Sequence, residues 1–221
     1  MNILCIAQVE DRTNIDEQIL KQTIQPNKIM ILVDESPAVG INNRRKKIAE
    51  NHKKLIGYVK QYKPDLVWQV EGDSVLPENA LERLLGHYIN NPSLSAISGI
   101  QIGRHGLYCI GAWHIAEDRK SFKSVDYTKT GLQKVDAMGL YCYLSPLDKW
   151  LEGNCRWNDE AYGPDVNFFL SISGSKYVDM ELHIGHKYKD GIIRPTDPST
   201  CNAKFKFNGE RWEYNQIMEG Y

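Results

Sequence analysis

Trp68-Gln-Val-Glu-Gly-Asp-Ser-Val-Leu-Pro77 places two carboxylates one residue apart directly behind an apolar run that begins at Asp65. Residues 65–70 read as a buried strand, and acid at the end of such a strand is costly unless a cation meets it or the chain turns into solvent. In extended backbone, side chains two apart point the same way, so Glu71 and Asp73 can converge while Gly72 lets a ligand approach the chain. Two such oxygens suit Mg²⁺ or Mn²⁺, with phosphates filling the remaining positions. The alternative is a turn in which Asp73 or Ser74 caps the next helix. That helix is expected from Pro77, which is tolerated in a first turn, and from the stripe Ala80, Leu81, Leu84, Leu85, Tyr88; Asn91-Pro92 closes it.

Upstream, Ile3 to Val9 reads as a buried strand, Ile15, Ile19, Leu20 and Thr23 as a helix closed by Pro26, and Lys28 to Val33 as a second buried strand running into Asp34. This is a β-α-β unit with acid at its carboxyl end. Asn43 to Tyr62 carries Ile48, Leu55, Ile56 and Val59 on one stripe and is expected to be a long amphipathic helix. Downstream, residues 95–102 and 107–114 read as strands and Glu117 to Gly131 as a mobile loop. Val135 to Leu144 is apolar with a glycine that marks a bend, Asp165 to Ser173 is a helix closed by Gly174, and Tyr177 to Met180 is a last strand. Strands alternating with helices, then mixed strands, predict an α/β/α sandwich with a mixed central sheet, and ligands in such sheets gather at the carboxyl ends of strands. Residues 1–190 are assigned to this domain and 191–221 to an extension packed on it.

The 221 residues suffice for one domain with a core that needs no staples. A net charge of −1 gives no general attraction to nucleic acid, although Arg44, Arg45, Lys46, Lys47, Lys53, Lys54, Lys60 and Lys63 cluster in one segment. Five cysteines with no CxxC pair argue against a disulfide framework and for a reducing compartment. Cys142, Cys155, His183 and His186 are a weak zinc alternative. The start shows no basic leader with a long apolar run, and no stretch reaches spanning length, so a cytoplasmic chain without an anchor is expected.

The order of these motifs resembles the nucleotide-sugar glycosyltransferases of the GT-A fold, closest to the family 2-like group, over roughly Asn2 to Lys187. Gln22-Thr-Ile-Gln-Pro-Asn-Lys-Ile-Met-Ile-Leu-Val-Asp-Glu-Ser36 is similar to a family line ending in V-D-x-S. Glu71-Gly-Asp73, followed by Pro77 and the leucines after it, resembles the DxD motif with Glu in first place. Val135-Asp-Ala-Met-Gly139 resembles the acceptor-side strand, and Gly163-Pro-Asp-Val-Asn-Phe168 the G-E-D-V-x-F line, with Pro164 in place of the usual Glu. Gly174 to His186 resembles the closing strand with its metal-site histidine.

The resemblance implies a Rossmann-like GT-A fold, a nucleoside-diphosphate sugar donor (a UDP-sugar above all) and a Mn²⁺ or Mg²⁺ ion held by Asp73, Glu71 and His186, with His183 in reserve. Gln8, Asp34, Asn43, Arg44, Glu71, Gly72 and Asp73 would line the donor site, Asp34 at the uracil or ribose. Asp136, Met138 and Gly139 would face the acceptor, and Asp165 would be the catalytic base of an inverting transfer, with Asp159 or Glu160 next to consider; the shared metal features leave a retaining course open. A saccharide acceptor and a hydroxymethylated DNA base both remain open, the latter because of the basic run and of Arg119, Lys120, Lys123, Lys129 and Lys134. Asp165 as a helix cap, Asp34 as a turn residue, and a GT-A module that binds nucleotide sugar or nucleic acid without turnover are the competing readings. A nucleotidyltransferase would carry a glycine-rich basic signature after the first strand, which QVEDRTN lacks.

Overall fold

Strand β1 (Ile3–Val9) forms where the chain is an uninterrupted apolar run broken only by Gln8, and every residue of it except Gln8 is buried. Such a run belongs inside a sheet covered on both faces. In this computed structural model, which describes residues 1–9, 15–38, 41–101, 111–115, 122–126, 129–156, 163–188, 191–193, 205–207 and 212–214, β1 pairs in parallel with β2 (Lys28–Val33) and β3 (Leu66–Glu71). The crossovers are α1 (Ile15–Leu20) and α2 (Ile41–Tyr62). The remaining elements are β4 (Ser74–Val75), α3 (Ala80–Asn90), β5 (Leu94–Gln101), β6 (Ala112–Ile115), β7 (Phe122–Ser124), β8 (Leu132–Val135), β9 (Ala137–Met138), β10 (Cys142–Pro146), α4 (Leu147–Glu152), α5 (Pro164–Ser171), β11 (Ser175–Tyr188), β12 (Gly191–Ile193), β13 (Phe205–Phe207) and β14 (Trp212–Tyr214).

The main sheet has the order β12-β11-β5-β10-β3-β1-β2, with β4 and β8 also paired to β11. Strand β10 is antiparallel to both β3 and β5, whereas β11 is parallel to β5. So β2, β1, β3, β5 and β11 share one direction, and the sheet is mixed, as expected. Alternation along the central strands divides the core between two faces. Leu4, Ile6 and Val67 pack with Leu55 and Val59 of α2, Trp150 of α4 and Phe168 of α5. Cys5, Ala7, Trp68 and Val70 pack with Ile15 and Ile19 of α1 and with Leu81 and Leu84 of α3.

Several expectations need correction. Residues 122–124, read as part of a mobile loop, form β7 and pair with β6. The last strand is not residues 177–180 but a 14-residue β11, with a register shift between Val178 and His183. Strand β5 stays paired on both sides of this bulge, while the second partner changes from β8 before it to β4 and then β12 beyond it. Helix α4 went unread because six residues are too few to show a period. Its place is held by Glu152, which accepts from the Ser173 backbone N–H at 2.8 Å and the Ser173 hydroxyl at 2.7 Å. Strand β12, in the segment read as an extension, pairs with β11, where Tyr188 faces Gly191. Among the described residues no helix is long and apolar enough to cross a membrane.

A second bulge-side anchor ties α3 to β11. Arg83 Nε donates to Asp179 Oδ2, His87 Nε2 lies 2.8 Å from the same oxygen, and Arg83 also reaches Glu181 at 2.7 Å. A fully buried carboxylate is tolerable only with partners of this kind.

One buried titratable group sits on the α2 face. The His52 ring lies 4.7 Å from that of Trp150 and 5.1 Å from that of Phe168, and burial pushes its pKa down to about 4, with the Gly153 backbone opposing weakly. Between the ordinary value near 6.5 and about 4, the unfolded chain binds the proton and the folded one does not, so stability falls as pH drops through that window. The loss should approach ~3 kcal/mol. Urea titrations from pH 7 to pH 4 should show this acid limb in the wild type and a flatter one in His52→Phe, which keeps an aromatic ring between Trp150 and Phe168.

Candidate functional site

The site is built at the carboxyl end of β3, where the chain turns. Gly72 N–H donates to Gln8 O at 3.0 Å and Glu71 N–H to Tyr141 O at 3.1 Å, which fixes the turn against β1 and the segment before β10. A Cβ on residue 72 would stand 2.7 Å from Val9 Cγ1, so glycine is required here by packing against β1. The expected open approach for a ligand over Gly72 is thus taken up by Val9. Beyond the turn, β4 pairs with β11 in the register His186↔Ser74, and Lys187 N–H donates to Asp73 O at 2.7 Å. These backbone bonds set Asp73 beside a histidine more than a hundred residues away, with His186 Nε2 3.4 Å from Asp73 Oδ2. His186 is 9% exposed, and the Asp73 side chain is about a third open.

Buried polar groups support this corner. Ser74 Oγ donates to Tyr141 O at 3.0 Å and accepts from Gln101 Nε2 at 3.2 Å, and the same amide reaches Gly185 O. From α1, Gln18 Oε1 accepts from Leu76 N–H at 2.7 Å, while Gln22 bonds Pro77 O at 2.8 Å and Leu81 N–H at 3.0 Å. Gln18 and Gln22 brace the segment after the acidic turn. Sequence reading quoted Gln22 without a role and passed over Gln18, since a glutamine on a short helix carries no signal of its distant backbone partners.

Glu71 does not extend the Asp73/His186 pair. Residues 72–73 form a turn, so the extended geometry that would aim Glu71 and Asp73 alike is broken there. The charge of Glu71 is felt by Tyr141, Tyr143 and Cys155, and the Cys155 thiol, pushed up by burial, also feels Asp165. Glu71 and Asp165 therefore share a neighbourhood around Cys155. Among the described residues no three His, Cys, Asp or Glu side chains are grouped closely enough to hold a metal. The zinc alternative fails, because Cys142 packs on the α1/α3 face, Cys155 packs on the α2/α5 face, and His183 Nε2 lies 3.2 Å from Met180 O within the bulge.

Asp165 is the second residue of α5, whose N-cap is Gly163 with no side-chain cap bond. Its Oδ1 accepts from Val166 N–H at 2.9 Å. Burial pushes the carboxyl up, against the backbone N–H groups of Val166 and of its own residue and the charge of Arg45. A Cβ on Gly163 would stand 2.5 Å from Asp165 Oδ1 and 3.8 Å from Arg45 Nε, so the α2 arginine and the α5 carboxylate meet at this glycine. Asp159 and Glu160, the reserve bases, lie outside the described residues, as do Arg119 and Lys120.

Asp34 follows β2 and is heavily engaged. Ser36 donates to it from Oγ and from N, and Lys47 and Lys54 of α2 stand 3.7 and 3.8 Å away. Its pKa is lowered to about 2, chiefly by the Ser36 hydroxyl, with Asn51 and Lys47 adding to the effect against desolvation. Two members of the basic run thus fold back onto one carboxylate, and Lys46 pairs with Glu50. Beside Asp34 lies an open cavity of about 360 Å³ lined by Glu35, Ser36, Pro37, Ala38, Arg44 and Lys47. Gln8 reaches the same sheet end with a buried Nε2 that has no hydrogen-bond partner among the described residues, and Asn43 sits in the first turn of α2.

The three acceptor-side residues hold the fold. Asp136 Oδ2 accepts from Ile115 N–H at 2.9 Å, Met138 is fully buried in the core, and Gly139 N–H donates to Gly111 O at 2.8 Å beneath the Tyr141 ring. Met138 has no surface to offer an acceptor.

No family model matches the chain, and no curated protein does. Among solved structures the chain is similar to the crystal structure of A197 from STIV, at 14% identity and a TM-score of 0.55, over 100% of this chain and 98% of that one. A likeness at that identity speaks for a shared fold.

Proposed function

We propose that this chain is a metal-dependent glycosyltransferase of GT-A fold that moves a sugar from a nucleoside-diphosphate sugar to an acceptor hydroxyl with inversion. The observation that carries the reading is the meeting of Asp73 and His186 at the carboxyl end of the sheet, 3.4 Å apart, where α/β sheets bind ligands. One carboxylate oxygen and one imidazole nitrogen at that separation fit a Mn²⁺ or Mg²⁺ ion that takes its other positions from diphosphate oxygens and water. Such an ion, when bound, neutralises the charge that builds on the departing nucleoside diphosphate.

The chain's own residues do the rest. Arg44 lines the cavity beside Asp34 and offers positive charge to phosphates, and Gln8 brings to the same end an amide nitrogen that has no hydrogen-bond partner among the described residues. Asp165, held by first-turn N–H groups of α5 and set near Glu71, takes the proton of the attacking hydroxyl; its raised pKa makes it a better base than an ordinary carboxylate. The acceptor is read as a saccharide or other neutral hydroxyl compound, because Lys47 and Lys54 are paired with Asp34 and Lys46 with Glu50.

A screen of nucleoside-diphosphate sugars with Mn²⁺, scoring release of nucleoside diphosphate with and without saccharides and hydroxymethylated DNA, tests the reading. Release from at least one donor is expected, and an inert chain across the panel would favour a binding module. Alongside that assay, Asp34→Ala should weaken binding of the free nucleoside diphosphate about tenfold as measured by calorimetry, since the carboxylate that would accept from the uracil or ribose is lost. Unchanged affinity would leave Asp34 as a turn residue that anchors α2.

A further inference from the structure

Strand β2 ends the sheet on one side, and among the described residues nothing pairs with its outer edge. Asp34 N–H donates to Val9 O in the parallel register Val9↔Val33, so the even residues of β2 direct their backbone groups toward β1. Ile29, Ile31 and Val33 therefore direct theirs outward. Every residue of Ile29–Val33 is only partly buried, whereas the neighbouring β1 is almost wholly buried. The segment Lys-Ile-Met-Ile-Leu-Val contains no proline, no bulge and no inward charge, which are the devices that ordinarily keep an apolar edge from pairing. Tyr58, one turn along α2 from the Tyr62 ring that lies under Lys28, is 52% exposed on the same flank.

We propose that β2 is a homodimer interface, in which two copies of this chain join their sheets through an antiparallel β2–β2 pairing about a two-fold axis at Ile31. The register follows from the outward groups. Centring on Ile31 sets Ile29 against Val33 of the second copy and Ile31 against Ile31, so that all outward N–H and C=O groups of the strand find partners. The same register sets Lys28 at the acidic end of the second copy's strand, where Glu35 is exposed, Asp34 itself being held by Lys47 and Lys54 of its own chain. The strand is basic at its start and acidic beyond its end, so antiparallel self-pairing matches opposite charges, whereas a parallel partner of the same sequence would set like against like. Met30 and Leu32, partly buried against the α2 cluster, would meet Leu32 and Met30 of the second copy and complete that face.

Sedimentation velocity of the full chain across micromolar concentrations tests this. A species of twice the chain mass is expected, and Ile31→Lys, which sets two ammonium groups on the axis, should shift it to monomer by at least tenfold in dissociation constant. Since Ile31 also packs inward, the pair Met30→Cys/Leu32→Cys gives an independent reading. These positions form a non-hydrogen-bonded antiparallel pair, where Cα atoms stand near ~4.5 Å and a disulfide closes readily. Cys5, Cys142 and Cys155 are buried, and with Cys109 and Cys201, which lie outside the described residues, both replaced by serine, mild oxidation should yield a covalent dimer from this variant and not from the same background without the cysteine pair. A chain that stays monomeric at all concentrations, a dimer indifferent to Ile31→Lys, or no cross-linking of the cysteine pair would each overturn the proposal.

Discussion

Asp73→Asn should abolish both sugar transfer and the divalent-ion dependence of donor binding, with a loss of at least ~10³ in kcat/KM if the ion supplies several kcal/mol to the departing diphosphate. The variant should fold normally. The turn that carries Asp73 is fixed by backbone bonds, Lys187 N–H to Asp73 O and the β4–β11 pairing, and by Ser74 and Gln101, none of which uses the carboxylate. Asparagine keeps the shape and one oxygen but removes the charge. His186→Gln should show the same pattern at smaller size, and Glu71→Gln a loss of transfer without a change in the ion's affinity, because Glu71 lies with Cys155 and Asp165. Donor affinity measured with and without EDTA separates these outcomes. Full activity of Asp73→Asn, or of the wild type in EDTA, would remove the metal from the proposal.

Asp165→Asn should lower turnover by ~10² or more, in line with the contribution of a positioned general base, while the protein becomes no less stable. The sign comes from the raised carboxyl. Burial lifts its folded pKa above that of the unfolded chain, so the stability linked to it is present below the ordinary carboxylate range and is lost as pH rises through the folded value. At neutral pH the ionised Asp165 is therefore a strain on the fold, and the neutral amide should raise the melting temperature there and leave it unchanged in acid. A residue serving only as a helix cap predicts the reverse, since asparagine and aspartate cap comparably and the dipole term would be lost. Melting curves at two pH values, alongside rates, distinguish the two roles.

How far the sequence reached differs from element to element. Strands β1 and β3 and helices α2 and α3 stand close to where period and composition put them, because each buries a continuous apolar run or stripe, whereas β2, found where it was expected, is only partly buried because it is the last strand of the sheet. Positions of Asp34, Asp73 and Asp165 at strand and helix ends were legible for the same reason, since the ends of strongly patterned elements are themselves visible. Helix α4 and the two-residue strands β4 and β9 were not, being shorter than any period.

The assembly of the site lay beyond local pattern. That Asp73 meets His186, that Glu71 parts from Asp73 at the Gly72 turn to share a neighbourhood with Asp165, and that Gln18, Gln22 and Asn51 hold the acidic loops are consequences of long-range backbone pairing. Sequence by itself determined an α/β chain with acid at the ends of its buried strands, since burial and hydrogen-bond demand act residue by residue. Tertiary structure alone decided which acids face one another and which described strand stands last in the sheet, because the register of β11 after its bulge, and the place of β2 at the end of the sheet, are set by contacts between residues far apart in the chain.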